Sequence, residues 1–322
     1  MNAKDIKNVT CIATGVIGSS WATNFAMKGY TVSVYDIDDG KLSDAKAFVE
    51  KNLNYLSKKN LLSKGQVAET LGNMTFTTNV AEAVKNAQFI QESGPENYAV
   101  KRSIIESIEA YAPKDAIIAS STSGLSITEI SKDMKHPERL VVGHPYNPPH
   151  LIPLVDICKG EQTSEEVAQC AYDFYTLLGK EPVMLKKEAL GFIANRLQMA
   201  LWREATEMVH RGICSLEDID KAVVFGPGLR WALMGPGLCF QLSGGNGGIE
   251  GLLHHLEPSW NLWLDDMADW HQFPYSAWPV EAQEGINQEK ANRASTFGNT
   301  DKEITAWRDD ALIEILKIHS KL

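Results

Sequence analysis

Cysteine is scarce in this chain of 322 residues, and the five present, Cys11, Cys158, Cys170, Cys214 and Cys239, are scattered, with no CxxC pair and no Cys/His ligand spacing. That excludes a disulfide scaffold and a zinc module, and it predicts reduced thiols in a cytoplasmic protein. Long apolar runs are also missing. Nothing approaches the roughly 20 residues that a membrane-spanning helix needs. The start, Met1 to Lys7, leads only into a short apolar run broken by Gly15 and Gly18, which fails as a signal peptide. Positive charge is in deficit, 31 Lys and Arg against 41 Asp and Glu for a net charge of −10, so neither nucleic acid nor a membrane surface is an expected partner. His254-His255 and His271 lack companions at metal spacing, and no bound metal is expected. Internal repeats, low-complexity runs and flexible linkers are absent too.

What is present is ordinary globular composition, 44% hydrophobic and 22% charged, at a length that favours two domains. The first half alternates short β-rich runs (9–12, 31–35, 74–77, 88–91, 116–119, 140–142, 182–185) with amphipathic stretches such as 41–58, 98–112 and 164–178. That rhythm predicts an α/β fold, a Rossmann-like doubly wound, mostly parallel sheet. The Lys/Asn-rich stretch 40–72 reads as a pair of helices inserted after the second strand. From Gly191 the texture turns to helical periodicity over 191–212, 215–225, 248–267, 278–292 and 301–320. We therefore expect a nucleotide-binding domain over 1–188 and an all-helical substrate and dimerisation domain over 189–322. Seven of the eight tryptophans lie beyond position 200, as core and subunit-interface bulk.

After the first predicted strand, Ala13-Thr14-Gly15-Val16-Ile17-Gly18 is a GxGxxG phosphate turn with alanine in the first position. The middle glycine lets backbone approach a pyrophosphate, and the third lets helix pack on strand. Ala13, Gly15, Val16, Ile17 and Gly18 are thus candidate cofactor contacts, with Ala13 costing about 1 kcal/mol relative to glycine if its backbone is strained. The second strand ends in Asp36, eighteen residues after Gly18, where a carboxylate chelates ribose hydroxyls. Asp36, Asp38 and Asp39 crowd that position with negative charge and would repel a 2′-phosphate. The expected cofactor is NAD rather than NADP.

His144 follows the apolar run 140–142 and so stands at the carboxyl end of a predicted strand, where open α/β sheets place their chemistry. Twelve residues on, Asp156 lies in a second apolar run. A carboxylate on one imidazole nitrogen fixes the tautomer and leaves the other nitrogen as a base. The competing reading of His144 is a structural histidine anchoring the Pro-rich loop 145–149.

Together these residues resemble the L-3-hydroxyacyl-CoA dehydrogenase superfamily over nearly the whole chain. Gln91-Glu92-Ser93-Gly94-Pro95-Glu96, with Lys101 beyond it, resembles the family's segment beside the nicotinamide ribose, which implies cofactor contacts for Glu96 and Lys101. Ser120-Ser121-Thr122-Ser123-Gly124 resembles its Ser-Asn-Thr-Ser-Ser turn, and Gly143-His144-Pro145-Tyr146-Asn147-Pro148 its catalytic-histidine block. Gly191-Phe192-Ile193-Ala194-Asn195-Arg196-Leu197 resembles the segment opening its helical domain. The resemblance implies His144 as base, Asp156 as its partner, and Ser123 and Asn195 as donors to the substrate oxygen. It also implies a homodimer. One departure is that the family's partner carboxylate is usually glutamate, so with Asp156 either the strands sit closer or a water bridges the pair.

Within the superfamily, the stretch Phe225 to Pro236 carries Arg230, as in the branch that acts on small free acids, and an arginine there can clamp a free carboxylate in bidentate fashion. The alternatives for Arg230 are a salt bridge or a helix cap. Trp231 offers an aromatic face to a quaternary ammonium, with Tyr146 or Phe240 as possible companions. The implied reaction is NAD-dependent oxidation of a small 3-hydroxy acid to the 3-keto acid. L-carnitine ranks first as substrate, ahead of L-gulonate and a 3-hydroxyacyl-CoA ester. A non-enzymatic reading, an NAD(H)-binding redox sensor or a structural crystallin-like protein, stands against it.

Overall fold

The computed structural model describes residues 1–322 and divides into two compact units, Met1–Arg196 and Leu197–Leu322. The first holds eight strands: β1 (Asn8–Ile12), β2 (Thr31–Tyr35), β3 (Met74–Thr77), β4 (Phe89–Glu92), β5 (Ile117–Ser120), β6 (Leu140–Pro145), β7 (Leu154–Cys158) and β8 (Glu181–Met184). They form one sheet in the order β3-β2-β1-β4-β5-β6-β7-β8. Every pairing is parallel except β6 with β7, which is antiparallel. Between the strands run α1 (Val16–Met27), α2 (Asp39–Lys58), α3 (Lys64–Gly72), α4 (Val80–Val84), α5 (Tyr98–Tyr111), α6 (Ile127–Ser131) and α7 (Glu165–Leu177). The expected helix pair over 40–72 is α2 and α3, and the doubly wound, mostly parallel sheet is present.

Strand residues alternate between two buried layers, as the period of 2 requires. Val9, Cys11, Val32, Val34 and Phe89 pack with Trp21, Phe25, Phe174 and Tyr175 on one face. Ile12, Ile90, Ile118, Leu140 and Val142 pack with Ile105, Ile108 and Phe192 on the other. Strand order reverses direction between β1 and β4, so the carboxyl ends of these two strands border the switch point, the place where such sheets bind ligands, and those of β5 and β6 follow along the same edge.

Helix α8 (Ala194–His210) starts in the last residues of the first unit and continues into the second, which is otherwise made of α9 (Leu216–Phe225), α10 (Pro227–Ser243), α11 (Gly248–Asp266), α12 (Trp278–Asn292) and α13 (Asp301–Ile318). Capping boxes at Ser215/Asp218 and Thr300/Glu303 start α9 and α13. α10 forms where the Gly- and Pro-rich composition carries no helical expectation, and it does so as two pieces broken at Gly235 (φ 73°) before Pro236. α8 begins at Ala194 rather than 191, because Gly191 and Phe192 both take positive φ, 74° and 50°. Of the seven tryptophans beyond 200, Trp278 alone is fully buried, against Trp202. Within this unit the core half of that expectation is met by Trp278, with Trp202, Trp260 and Trp270 half-buried. No helix in either unit is long and apolar enough to cross a membrane.

Two buried lysines brace the first unit by opposite means. Lys101, 1% exposed, donates to both oxygens of Glu92 (3.1 and 3.0 Å) and to Gly94 O (3.1 Å). Lys180, 5% exposed, has no carboxylate. It donates to Pro149 O and Ile152 O in the β6–β7 loop, and its ammonium lies 5.3 Å above the Trp21 ring. Burial, with Lys28 adding repulsion, pushes Lys180 down to about 7.

Lys101→Met strands a buried Glu92 carboxylate and is expected to cost ~3–5 kcal/mol of unfolding free energy, read by urea denaturation at pH 7. For Lys180 the unfolded chain holds its proton up to the ordinary 10.5 while the folded chain releases it near 7. The unfolded state therefore binds more protons between those values, and the lysine favours folding progressively as pH rises from 7 to 10.5. The stability of wild type minus that of Lys180→Met is expected to climb across this window, by at most about 1.4 kcal/mol per pH unit, and to be flat below it. A flat difference throughout refutes the assignment.

Candidate active site

At the end of β1 the chain turns through Ala13, whose φ is +70°. An alanine held in this left-handed region is strained, and two contacts hold it there. Its N–H donates to Tyr35 O at 2.9 Å, and Gly18 packs so closely beneath it that a Cβ at 18 would stand 1.9 Å from Ala13 O. Gly15 faces open space, with nothing within 4 Å of where its Cβ would be. It caps the N-terminus of α1, where no side chain bonds the first-turn amides. Val16 and Ile17 supply those amides. An uncapped helix N-terminus behind an open glycine fits a pyrophosphate.

Beside it lies a cavity of about 280 Å³ lined by Ile12, Asp36, Ile37, Val80 and Ile104 among others. Its apolar walls and single carboxylate fit an adenosine. Asp36 also ties the turn to β2: Oδ2 accepts from Thr14 N and Thr14 Oγ1, both at 2.8 Å, and Oδ1 accepts from Ile37 N at 2.8 Å. Asp38 caps α2 by accepting from Lys41 N. Of the three neighbouring aspartates, Asp36 alone lines the cavity, and Lys41 lies 3.8 Å from it. The crowd of negative charge expected at this edge thus reduces to one carboxylate beside an exposed ammonium.

The loop after β4 and the turn after β5 are bound to each other by Glu96. Its Oε1 accepts from Thr122 Oγ1 (2.8 Å), Ser123 N (2.7 Å) and Gly124 N (3.2 Å). Glu92, fully buried beneath, accepts from Ser120 Oγ at 2.6 Å and from Lys101. Lys101 is therefore spent inside the protein, and what it offers this region is the position of Glu92 and, at 3.8 Å, of Glu96. Ser123 is exposed at the crest of the turn.

His144 sits one residue from the end of β6, and the antiparallel register pairs it directly with Asp156 on β7. Directly opposed residues project to the same face with Cβ atoms roughly 4.5–5.5 Å apart, so the short aspartate reaches: His144 Nδ1 lies 3.2 Å from Asp156 Oδ2. The strands supply the closeness, and no bridging water is needed. Both residues are buried, at 5% and 0% exposure. The Tyr146 hydroxyl donates to the same Oδ2 at 3.1 Å and lies 3.4 Å from Asn195 Oδ1. Burial first, then Asp156, hold that phenol above its ordinary range, so it is a donor at any working pH. Asn195 Nδ2 donates to Ser123 O at 2.8 Å, with its second hydrogen left over. Phe192, 2% exposed, stands with its ring 5.4 Å from that of His144. Behind the strand, Gln91 donates to Gly143 O (3.1 Å) and accepts from Tyr175 OH (2.6 Å), while a Cβ on Gly143 would meet that hydroxyl at 2.0 Å.

The first unit thus gathers Ser123, His144, Asp156 and Asn195 into one cluster at the strand ends. Arg230 and Trp231 belong to the second unit, consecutive on α10 and both exposed. Phe240 packs on Trp260, ring centroids 5.6 Å apart. The hydroxyl of Tyr146, as an acid-bonding group, was not legible from its place in a Pro-rich loop. The signal available was its position two residues after the histidine. Gln91 and Tyr175 are separated by 84 residues and nothing local marks them as partners.

Comparison with known proteins assigns the chain. The family described as 3-hydroxyacyl-CoA dehydrogenase, NAD binding domain, matches residues 8–189, and 3-hydroxyacyl-CoA dehydrogenase, C-terminal domain, matches residues 191–277. An L-carnitine dehydrogenase of Streptomyces griseus is 42% identical over 256 residues, 80% of this chain and 75% of its own. A 3-hydroxyacyl-CoA dehydrogenase of Gibberella moniliformis is 36% identical over 323 residues, covering 99% and 97%. Among solved structures, FHMPC 5-dehydrogenase, an NAD+ dependent dismutase, superposes with a TM-score of 0.80 at 27% identity, covering 98% of this chain and 97% of that one. The chain belongs to the 3-hydroxyacyl-CoA dehydrogenase family, and it is an oxidoreductase of that family.

Proposed function

We propose that this protein oxidises the 3-hydroxyl of L-carnitine to the 3-keto acid, with NAD as the cofactor and His144 as the base. The carrying observation is the cross-strand pair: with Nδ1 bonded to Asp156, the lone pair of His144 is at Nε2. In this reading Nε2 takes the hydroxyl proton as C3 gives up its hydride and the C–O bond becomes a carbonyl. NAD, when bound, supplies the hydride acceptor. Ser123 Oγ and the spare Asn195 hydrogen donate to the substrate oxygen, and proton removal of this kind contributes about 10²–10⁴ in rate. Oxidation by this route needs His144 neutral at Nε2. Asp36, the one acid on the cavity, supports NAD over its 2′-phosphate.

The choice of acid rests on the second unit. Several relatives at 36–42% identity carry the name L-carnitine dehydrogenase, and the exposed Arg230 and Trp231 offer a clamp for a carboxylate and an aromatic face for a trimethylammonium group. The Gibberella relative's name favours a CoA ester as the second reading. NAD+ reduction at pH 9 with L-carnitine, L-gulonate and L-3-hydroxybutyryl-CoA, by wild type and Arg230→Ala, separates them. We expect carnitine to lead in kcat/KM by at least roughly a hundredfold, and Arg230→Ala to lose a similar factor on carnitine. A lead for the CoA ester that survives Arg230→Ala refutes the free-acid assignment.

The second unit also supports a homodimer. Leu229, Leu233, Leu238 and Leu242 on α10 and Leu262, Trp263 and Leu264 on α11 are all more than half exposed, and large apolar side chains left to water in such number favour a partner surface. Sedimentation equilibrium is expected to give twice the 35.6 kDa chain mass, and Leu238→Glu with Leu262→Glu to halve it. A monomeric wild type at micromolar concentration contradicts this.

A further inference from the structure

Asp156 is the least supported charge in the candidate site. It is 0% exposed, its Oδ1 is buried with no partner, and both of its donors, His144 Nδ1 and the Tyr146 hydroxyl, crowd onto Oδ2. No cation bonds it. A buried carboxylate normally stays ionised by accepting two or three hydrogen bonds or by pairing with a cation. Removal of one of only two donors therefore has a larger effect here than at a surface.

We propose that Tyr146 is a positioning residue for the oxidation: its hydroxyl shares Oδ2 of Asp156 with His144 and so sustains an anionic carboxylate beside a neutral imidazole. This rests on the reading of His144 as the base. The phenol has one proton and two neighbours, and it goes to the charged oxygen at 3.1 Å rather than to the Asn195 amide at 3.4 Å. Without it, the buried anion next to neutral His144 rises in free energy. Both singly protonated forms of the pair, imidazolium with carboxylate and imidazole with carboxylic acid, relieve that cost. The pair then takes up its proton at higher pH whichever residue carries it. A protonated pair lacks either the lone pair at Nε2 or the anion that orients the ring. The hydroxyl thus extends downward the pH range in which His144 is a competent base. The titratable groups that meet the imidazole are Asp156 from β7 and Tyr146 from the loop after β6. Phe192, after β8, presents an uncharged ring, and Asn195, on α8, an amide.

The test is a ¹⁵N-histidine NMR titration of the full-length protein, with the His144 signals identified by their loss in His144→Gln. Tyr146→Phe keeps the ring and removes the hydroxyl. It is expected to move the His144 midpoint up by roughly 0.5–1 pH unit, with the acid limb of kcat/KM for NAD+ reduction following and KM for substrate little changed. In an Asp156→Asn background the same substitution is expected to move nothing. An unchanged or lowered midpoint overturns the proposal, as does an equal shift in the Asp156→Asn background or a midpoint that moves without the kinetic limb. A wild type that reduces NAD+ with none of the three substrates would instead overturn the function proposed above. The NMR arm would still decide whether the phenol acts on the pair.

Discussion

The arrangement of this site depends on one antiparallel pairing in an otherwise parallel sheet. β7 runs against β6, so the residue at the carboxyl end of one strand faces the amino-terminal half of the other. Two parallel strands would carry both functional ends to the same edge but would not set His144 and Asp156 opposite each other. The pairing makes a 12-residue separation in sequence into a direct cross-strand contact, and it lets aspartate serve with a side chain shorter than glutamate. Two sets of contacts resist slippage of that register. Gln91 and Tyr175 clamp Gly143, and Lys180 pins the connecting loop at two carbonyls.

A second constraint acts at the other end of the crevice. The close approach of Gly18 to Ala13 O sets how α1 meets β1, and the left-handed backbone of Ala13 follows from it. A glycine would take that conformation freely. Alanine takes it under tension, held by Tyr35 O on one side and by Asp36, through Thr14, on the other. The carboxylate at the tip of β2 thereby serves the turn as well as the cavity, and the glycine turn, the cavity wall and the second strand form a single bonded unit.

Burial sorts the charges between these two ends. Glu92 and Lys101 neutralise each other out of water and support the Ser123 turn through Ser120 and Glu96. Lys180 has only carbonyls and an indole face, and answers by losing affinity for its proton. Asp156 has only neutral donors. The three cases show the same physical rule, that a buried charge needs a counterion, a shifted equilibrium, or hydrogen bonds enough to replace water.

Much of this was legible in the residues alone. The alternation of apolar runs foretold the wound sheet, and the glycine spacing foretold the tight turn between β1 and α1. The position of His144 after a strand, with the matching segments around Ser123 and Asn195, marked the candidate cluster. These are local or periodic signals, and covalent spacing carries them. Tertiary structure decided the rest. The reach of Asp156, the phenol of Tyr146 on its oxygen, the diversion of Lys101 and Asp38 to structural duty, and the helical state of the 227–243 stretch all depend on which segments meet in space. A sequence determines the period of its elements through backbone geometry, but which donor a buried carboxylate finds depends on register between strands, and register exists only once they have paired.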